Sequence, residues 1–494
     1  LTIVEERKNI TERRSGSCLI YGIAGALLAA LLWSPLLTTP LWQDDYVFLT
    51  QARGAAWDGK PLVSAFVEKP ERFFWRPLST NIYWRFASGI LKGNSLALHG
   101  INLFIFLLAA GVLGSVTAAF MRLVNPGKEH REAAFRASFV YGLHGAFFLP
   151  LAWASGIQEL LALLFSALAL RGWMACLERT PETMDRILAA FTAPALLAAL
   201  LCKEGVAMLP LGAAALTVAT GVRLNRRALS IGMVSGAVLF LWFVVHLALS
   251  NPIEPDSPYA PRFGVNIIRN GALLGLFFMN VPREAIRLLS QGRILSGAIW
   301  GGGLFLLHGA ALFLLFRGAW KTLRMRGMIC LGIFALAAAL PYLAPRWNCY
   351  PYYILLGLFS WGILAGAHPG RGRRFLVPAF LILAGAMITL GIQMMLPYPS
   401  PLPRAGWAEE TLEEIERKTG EGIRDRAIFL RAEDENHLAA IGWNKGIAWR
   451  LKISPERILL EGEELPREKG IVNISVRHDG VTVQKGVIPE SGND

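Results

Sequence analysis

Apolar runs of about twenty residues or a little fewer recur along most of this chain, separated by short polar loops, and every second loop is basic. The runs fall at roughly 18–37, 97–121, 136–152, 155–171, 187–202, 205–221, 229–249, 293–316, 327–344, 352–367 and 375–396. Runs of this kind predict helices that cross a hydrocarbon core ~30 Å thick. The basic loops carry Arg122, Lys128 and Arg131; Arg171 and Arg179; Arg223, Arg226 and Arg227; Arg317, Lys321, Arg324 and Arg326; and Arg371, Arg373 and Arg374. An excess of Lys and Arg marks the cytoplasmic side. The expected arrangement is therefore eleven spans with the N-terminus inside and the C-terminus outside, in which the short runs around 150–205 are candidates for re-entrant segments. The first run follows a basic stretch, as a signal peptide would. Pro35 and Pro40 stand after it instead of a small-residue cleavage site, so it reads as an uncleaved helix.

Three pieces outside the spans face outward in this scheme. The first loop, about 38–96, mixes apolar and charged residues and predicts amphipathic helices on the membrane surface. A second segment, 250–292, opens Pro-rich at Asn251–Pro258 and continues through Ile267–Leu289 as a half-buried helix or mobile loop. The third follows a Pro-rich linker, 397–403. In it, Glu409–Lys418 and His437–Arg450 predict helices, Ala427–Arg431 and Arg457–Glu461 strands, and Ile471–Gln484 a hairpin turning at Asp479-Gly480. The fold class is thus a polytopic α-helical membrane protein: residues 1–396 form the transmembrane body, and 404–494 a small α+β domain in the periplasm.

Composition agrees: of 494 residues, 54% are hydrophobic and 17% charged, against about a quarter charged in soluble proteins. The net charge of +13 is not a nucleic-acid footprint. Residues 404–494 hold 14 Lys/Arg against 18 Asp/Glu, leaving 35 basic and 18 acidic residues in the rest, largely in loops between spans. The five cysteines show no metal spacing, and only Cys202 and Cys349 are placed where a bridge could form. Gly301-Gly302-Gly303 sits inside a span and reads as a helix-packing site.

A chain this apolar has few places for acid–base chemistry, and ionisable residues at span ends are functional candidates. Asp44 and Asp45 lie directly after the first span. Glu159 and Glu204 stand at outer span ends, with Lys203 beside Glu204. The bland reading of Lys203 and Glu204 is an ion pair anchoring two short helices. Arg76 and Arg346 are further outer-face cations. Each alone reads as snorkelling beside its aromatic neighbours, but together with Lys203 they suit an anionic, phosphate-bearing substrate. His99 and Asn102 lie near one another at the start of the second span, and His144 in the third; a buried His is more often a helix–helix hydrogen-bonder than a ligand.

These residues, in order, resemble a known superfamily. The acid pair is followed by Arg76-Pro77-Leu78, His99-Gly100-Ile101-Asn102, Leu143-His144-Gly145, Ala152-Trp153-Ala154, Gln158-Glu159-Leu160-Leu161, Lys203-Glu204, and Arg346 with Tyr350-Pro351. Over residues 18–396 the set is similar to the GT-C integral-membrane glycosyltransferases, most of all to bacterial relatives of the transmembrane-and-tetratricopeptide-repeat O-mannosyltransferases. It departs from them in having His144-Gly145 where the family often has His-Pro, in lacking an Arg-Asp pair near Gln158-Glu159, and in carrying the small C-terminal domain in place of the repeats.

The resemblance implies a polyprenyl-phosphate sugar donor and transfer to a glycan, lipid or protein acceptor at the periplasmic face of a bacterial inner membrane. Asp44 or Asp45 would be the base, and Arg76, Lys203 and Arg346 would hold the phosphate. His99, Asn102, Glu159, Glu204 and Tyr350 would support them. No cofactor is required, although a divalent metal bridging Asp44 and Asp45 is compatible with the sequence. The rival from another class is a lipid or glycolipid flippase, which predicts charges at the bilayer midplane and an internal repeat; neither is visible. A second rival is an inactive scaffold that uses the C-terminal domain to bind a partner.

Overall fold

The computed structural model describes residues 2–70, 74–126, 130–178, 183–346, 349–369, 373–420, 423, 426–461 and 471–486. Lys128, Arg179, Arg371 and the side chain of Arg373, all in the basic loops, lie outside the described residues.

Helix α1 (Thr2–Trp33) leads into a loop that carries α2 (Asp44–Trp57) and α3 (Tyr83–Gly89). The membrane body follows with α4 (Ser95–Val124), α5 (Arg131–Gly142), the short α6 (Phe148–Ala152) and α7 (Ile157–Leu177). Next come α8 (Thr183–Ala190), α9 (Thr192–Cys202), α10 (Leu209–Thr220) and α11 (Arg226–Leu249). The second outer segment forms α12 (Val265–Phe278) and α13 (Arg283–Ser290), so it is helical rather than a mobile loop. Then follow α14 (Ile294–Ala339), α15 (Phe359–Ala367) and α16 (Arg373–Met395).

Each of the eleven apolar runs falls on helix, but not all are full-length spans. Among the described residues six helices are long and apolar enough to cross a membrane, or seven if α8 and α9, bent by 43°, count as one. The run at 136–152 is broken between α5 and α6, and the run at 205–221 has only a short helix. Conversely, α14 has 46 residues and would reach about 70 Å, twice the bilayer core. Its backbone breaks at Arg324 (φ 53°), inside the loop expected between the eighth and ninth spans.

Close packing of α1 against α4 and α5 rests on small residues. A Cβ on Gly22 would stand 2.5 Å from the Gly111 carbonyl oxygen, which only glycine avoids. In the triple-glycine stretch Gly301 packs on α13 and the turn before it, its built Cβ 3.4 Å from Val281 Cγ1 and 3.5 Å from Ala285 Cβ, while Gly302 and Gly303 have nothing within 4 Å. All five cysteines are buried, and among the described residues Cys202 and Cys349 form no bridge.

The C-terminal region comprises α17 (Pro401–Thr419), β1 (Ala427–Ala432), α18 (Glu435–Ala440), α19 (Asn444–Leu451), β2 (Ile458–Leu460), β3 (Ile471–Arg477) and β4 (Gly480–Gly486). Helix α17 begins inside the expected linker, its prolines serving the first turn, where no N–H is required. The expected helix 437–450 divides at Gly442, whose φ of 72° stops α18. The sheet runs β2-β1-β3-β4. Strand β1 is parallel to β2 and β3, and β3–β4 is an antiparallel hairpin with Arg477 opposite Gly480, one residue short of the expected turn.

Helix α2 packs against the C-terminal region. Leu41, Trp42, Tyr46 and Leu49 enter one hydrophobic cluster with Leu412, Ile441 and Ile447 of the C-terminal region. Polar contacts fix the same face: Arg53 donates to the carbonyls of Ala448 (2.6 Å) and Trp449 (3.0 Å), and Thr50 Oγ1 to that of Lys445 (2.9 Å). Leu49 is fully buried there. We expect Leu49→Ala to cost about 2–5 kcal/mol and to expose the C-terminal region to limited proteolysis. An unchanged cleavage pattern would mean that this region folds without α2.

Candidate active site

The loop entering α2 turns sharply. Gln43 sits at φ 53°, a strained angle for a residue with a side chain, and its N–H donates 2.8 Å to the Ala440 carbonyl. This turn separates the two acids. Asp45 is fully buried: its Oδ1 accepts from the Ser155 N–H (2.7 Å) and hydroxyl (2.5 Å), and its Oδ2 from the Trp42 N–H (3.2 Å). Asp44 is half-buried and lines a cleft of about 890 Å³.

The turn that offers Ser155 is itself held by two sequence-predicted residues. Asn102 Nδ2 donates to the carbonyls of Pro150 (3.1 Å), Trp153 (3.0 Å) and Ala154 (3.2 Å), and His99 Nδ1 lies 2.9 Å from the Leu151 carbonyl. Neither side chain lines the cleft; both set the backbone that grips Asp45. His144 caps the turn between α5 and α6 and stands apart from the cleft.

Arg76 enters the cleft just before a π-helical turn, Pro77–Ile82. It makes a two-pronged pair with Glu204 (Nε–Oε2 2.7 Å, Nη2–Oε1 2.5 Å), donates to Gln158 Oε1 (2.7 Å) and stacks over Phe74 at 4.6 Å. Lys203 is buried, paired with Glu159, and faces the rings of Tyr342, Tyr352 and Tyr353 at 5.0–5.7 Å. Lys203 therefore pairs with Glu159 and not with its neighbour Glu204. A side chain at Gly205 would collide with the Tyr342 hydroxyl, so Tyr342 would have to shift for any other residue to stand here.

Two candidates lie elsewhere. Arg346 donates to Asp256 Oδ1 (3.1 Å) beside the Pro-rich segment and is outside the cleft lining, although its neighbour Pro345 is within it. Tyr350 lines a second cavity, beneath Arg283, whose guanidinium carbon is 4.2 Å from the ring centre. The two cavities meet at Trp153, which packs on Trp42 at 5.7 Å; Gln43 faces the second and Asp44 the first. Ser155, the tyrosine cluster and Trp443 of the C-terminal region, which reaches the cleft, carried no sequence signal of this role.

Both Asp45 oxygens already accept protein hydrogen bonds, and among the described residues no three His, Cys, Asp or Glu side chains converge as ligands.

Burial pushes the Asp45 carboxyl up from 3.8 to about 7, against the donors from Ser155 and Trp42 that pull it down. A carboxyl whose pKa rises on folding binds its proton more tightly in the native state. Its stabilisation is full at low pH and is lost as pH rises through the folded pKa. The stability of the native protein relative to Asp45→Asn should therefore fall between about pH 4 and about pH 8, read as thermal midpoints in detergent. A gap that widens with pH would show that the donors outweigh burial.

No family profile and no curated protein matches the chain. Solved structures do. ArnT from Cupriavidus metallidurans bound to undecaprenyl phosphate is similar with a TM-score of 0.51 at 13% identity, over 92% of each chain. The apo state of that protein gives 0.48 at 12% identity, again over 92% of each chain. An oligosaccharyltransferase from Archaeoglobus fulgidus tethered to an acceptor peptide gives 0.45 at 13% identity, over 89% of this chain and 63% of that one. At this identity the likeness establishes architecture: the chain is a multi-pass helical membrane protein with the GT-C fold and a small α+β C-terminal region.

Proposed function

We propose that the protein is a glycosyltransferase that moves a sugar from a polyprenyl-phosphate donor to an acceptor hydroxyl, with inversion, at the periplasmic face of a bacterial inner membrane. The observation that carries this reading is the division of labour in the acid pair. Asp44 opens into a cleft that also holds Arg76 and Lys203, while Asp45 is spent on holding Trp42 and Ser155. A buried carboxylate with both oxygens committed to protein donors cannot reach an acceptor; a half-buried one at a cleft wall can. The ArnT structure sharing the fold contains undecaprenyl phosphate, which supports a lipid-phosphate donor here by analogy of fold.

In this mechanism the acceptor hydroxyl loses its proton to Asp44 as its oxygen bonds to the anomeric carbon. The bond from that carbon to the phosphate oxygen breaks, and the electron pair leaves with the lipid phosphate. Phosphate departs without a general acid. The cations within the cleft are Arg76 and Lys203, each already tied to a carboxylate. They would stabilise the departing charge by exchanging Glu204 and Glu159 for phosphate oxygens. Arg346 takes no part in this step, because it is held by Asp256 outside the lining. The acceptor, whether glycan, lipid or protein, presents a hydroxyl to the cleft.

A base of this kind is worth about 10²–10⁴ in rate. Asp44→Asn should keep the fold and lose about that factor in kcat with polyprenyl-phosphate sugars, followed by mass spectrometry of the products. Near-normal turnover in the Asp44→Asn enzyme would overturn Asp44 as base. Asp45→Asn should lower the thermal midpoint along with activity.

A further inference from the structure

The charges in the two cavities are opposed. The cleft that holds Asp44 is lined by two cations, Arg76 and Lys203, against four carboxylates, Asp44, Glu159, Glu204 and Glu254. Both of its cations are already paired, so a phosphate entering it would have to displace Glu204 and Glu159. The second cavity, about 500 Å³, is lined by Arg283, Arg287 and Arg404 against one carboxylate, Glu284. Among the described residues none of these three arginines is ion-paired. Arg283 stacks on Tyr350; Arg287 donates to Ser400 Oγ (3.0 Å); Arg404 donates to the Asn436 carbonyl (3.1 Å) and lies over Trp42.

Hydrogen-bonding capacity is left over in the same place. The Nε atoms of Arg287 and Arg404 are buried without a partner, and so is Oε1 of Gln393, a residue only 3% exposed. Gln393 Nε2 holds Glu284 (2.5 Å), which turns that carboxylate toward the amide. A buried guanidinium N–H without an acceptor is costly, and an incoming phosphate oxygen would satisfy it.

Position selects the class of ligand. Gln393 and Thr389 belong to the apolar helix α16, while Leu273, Phe277 and Ile286 add apolar wall. Arginines above an apolar floor at the end of a membrane span suit the phosphate of a lipid whose chain remains in the bilayer. We propose that this second cavity is a binding site for a phosphate-bearing lipid headgroup, held by Arg283, Arg287 and Arg404. The site abuts Trp42-Gln43, the strand of chain that presents Asp44 on its other side. Its relevance to transfer rests on the reading above; its existence as a phosphate-lipid site does not.

The same chemistry is offered by a polyprenyl phosphate and by an anionic phospholipid, and the test separates them. Full-length protein in neutral-lipid nanodiscs would be titrated with undecaprenyl phosphate, phosphatidylglycerol or uncharged diacylglycerol, and bound lipid read by native mass spectrometry. Each phosphate lipid that uses the site should bind the native protein and lose about tenfold or more in affinity in the Arg287→Gln/Arg404→Gln protein. Arg346 is held by Asp256 outside both cavities, and Arg346→Gln should retain that binding. Diacylglycerol should be indifferent to all variants.

Binding of undecaprenyl phosphate alone would assign the site to the donor or its product, and binding of both to anionic lipids generally. If the double variant fails to fold, Arg287→Lys and Arg404→Lys keep the charge but lose the forked donors, and each should weaken binding severalfold. Three results overturn the site: no phosphate lipid binding to the native protein, binding unchanged in the arginine variants, or binding lost equally in Arg346→Gln. None of these readouts involves sugar transfer, so failure of the transferase reading would be seen separately, in turnover.

Discussion

The carboxylate of Asp45 ties together the parts on which the candidate chemistry depends. Its two oxygens join the start of α2 to the turn after α6, through Trp42 and Ser155. That turn is in turn held from α4 by Asn102 and His99. A fully buried carboxyl is tolerated only where its hydrogen bonds are satisfied, and here three donors converge on it. The adjacent residue inherits a fixed position at a cleft wall. The strained turn at Gln43 gains its support from the same knot and from the backbone bond to Ala440.

The C-terminal region is therefore part of the site's foundation. It covers the face of α2 opposite the membrane body, shares its hydrophobic cluster, and reaches the cleft through Trp443 and the second cavity through Arg404 and Asn436. Two cavities of unlike charge, parted by Trp42-Gln43-Asp44 and Trp153, place a potential base between an acidic chamber and a basic one.

Ion pairing reshapes the simple picture of free outer-face cations. Arg76 and Lys203 do meet in one cleft, but with Glu204 and Glu159 as partners, in a low-dielectric setting where an unpaired charge would be costly. The pairing crosses the expected one, since Lys203 turns from its chain neighbour Glu204 toward α7. Successive side chains of an extended corner point in different directions, so adjacency in sequence did not make them partners.

The apolar helices and the hairpin at the C-terminus were legible because they follow from local apolar periodicity and turn chemistry. So was the set Asp44, Asp45, Arg76, Glu159, Lys203 and Glu204, since ionisable residues are scarce near spans. The rest was decided by tertiary structure. Which Asp is buried depends on a turn more than a hundred residues away, at Ser155. Arg346 and Tyr350 leave the cleft because the Pro-rich segment and α13 supply them with other partners. Arg283, Arg287 and Arg404 look like ordinary helix-surface arginines in sequence. They become one cluster only when α13 and α17 pack around the end of α16. Sequence fixes what each segment prefers locally; long-range packing decides which charges are desolvated and whom they meet.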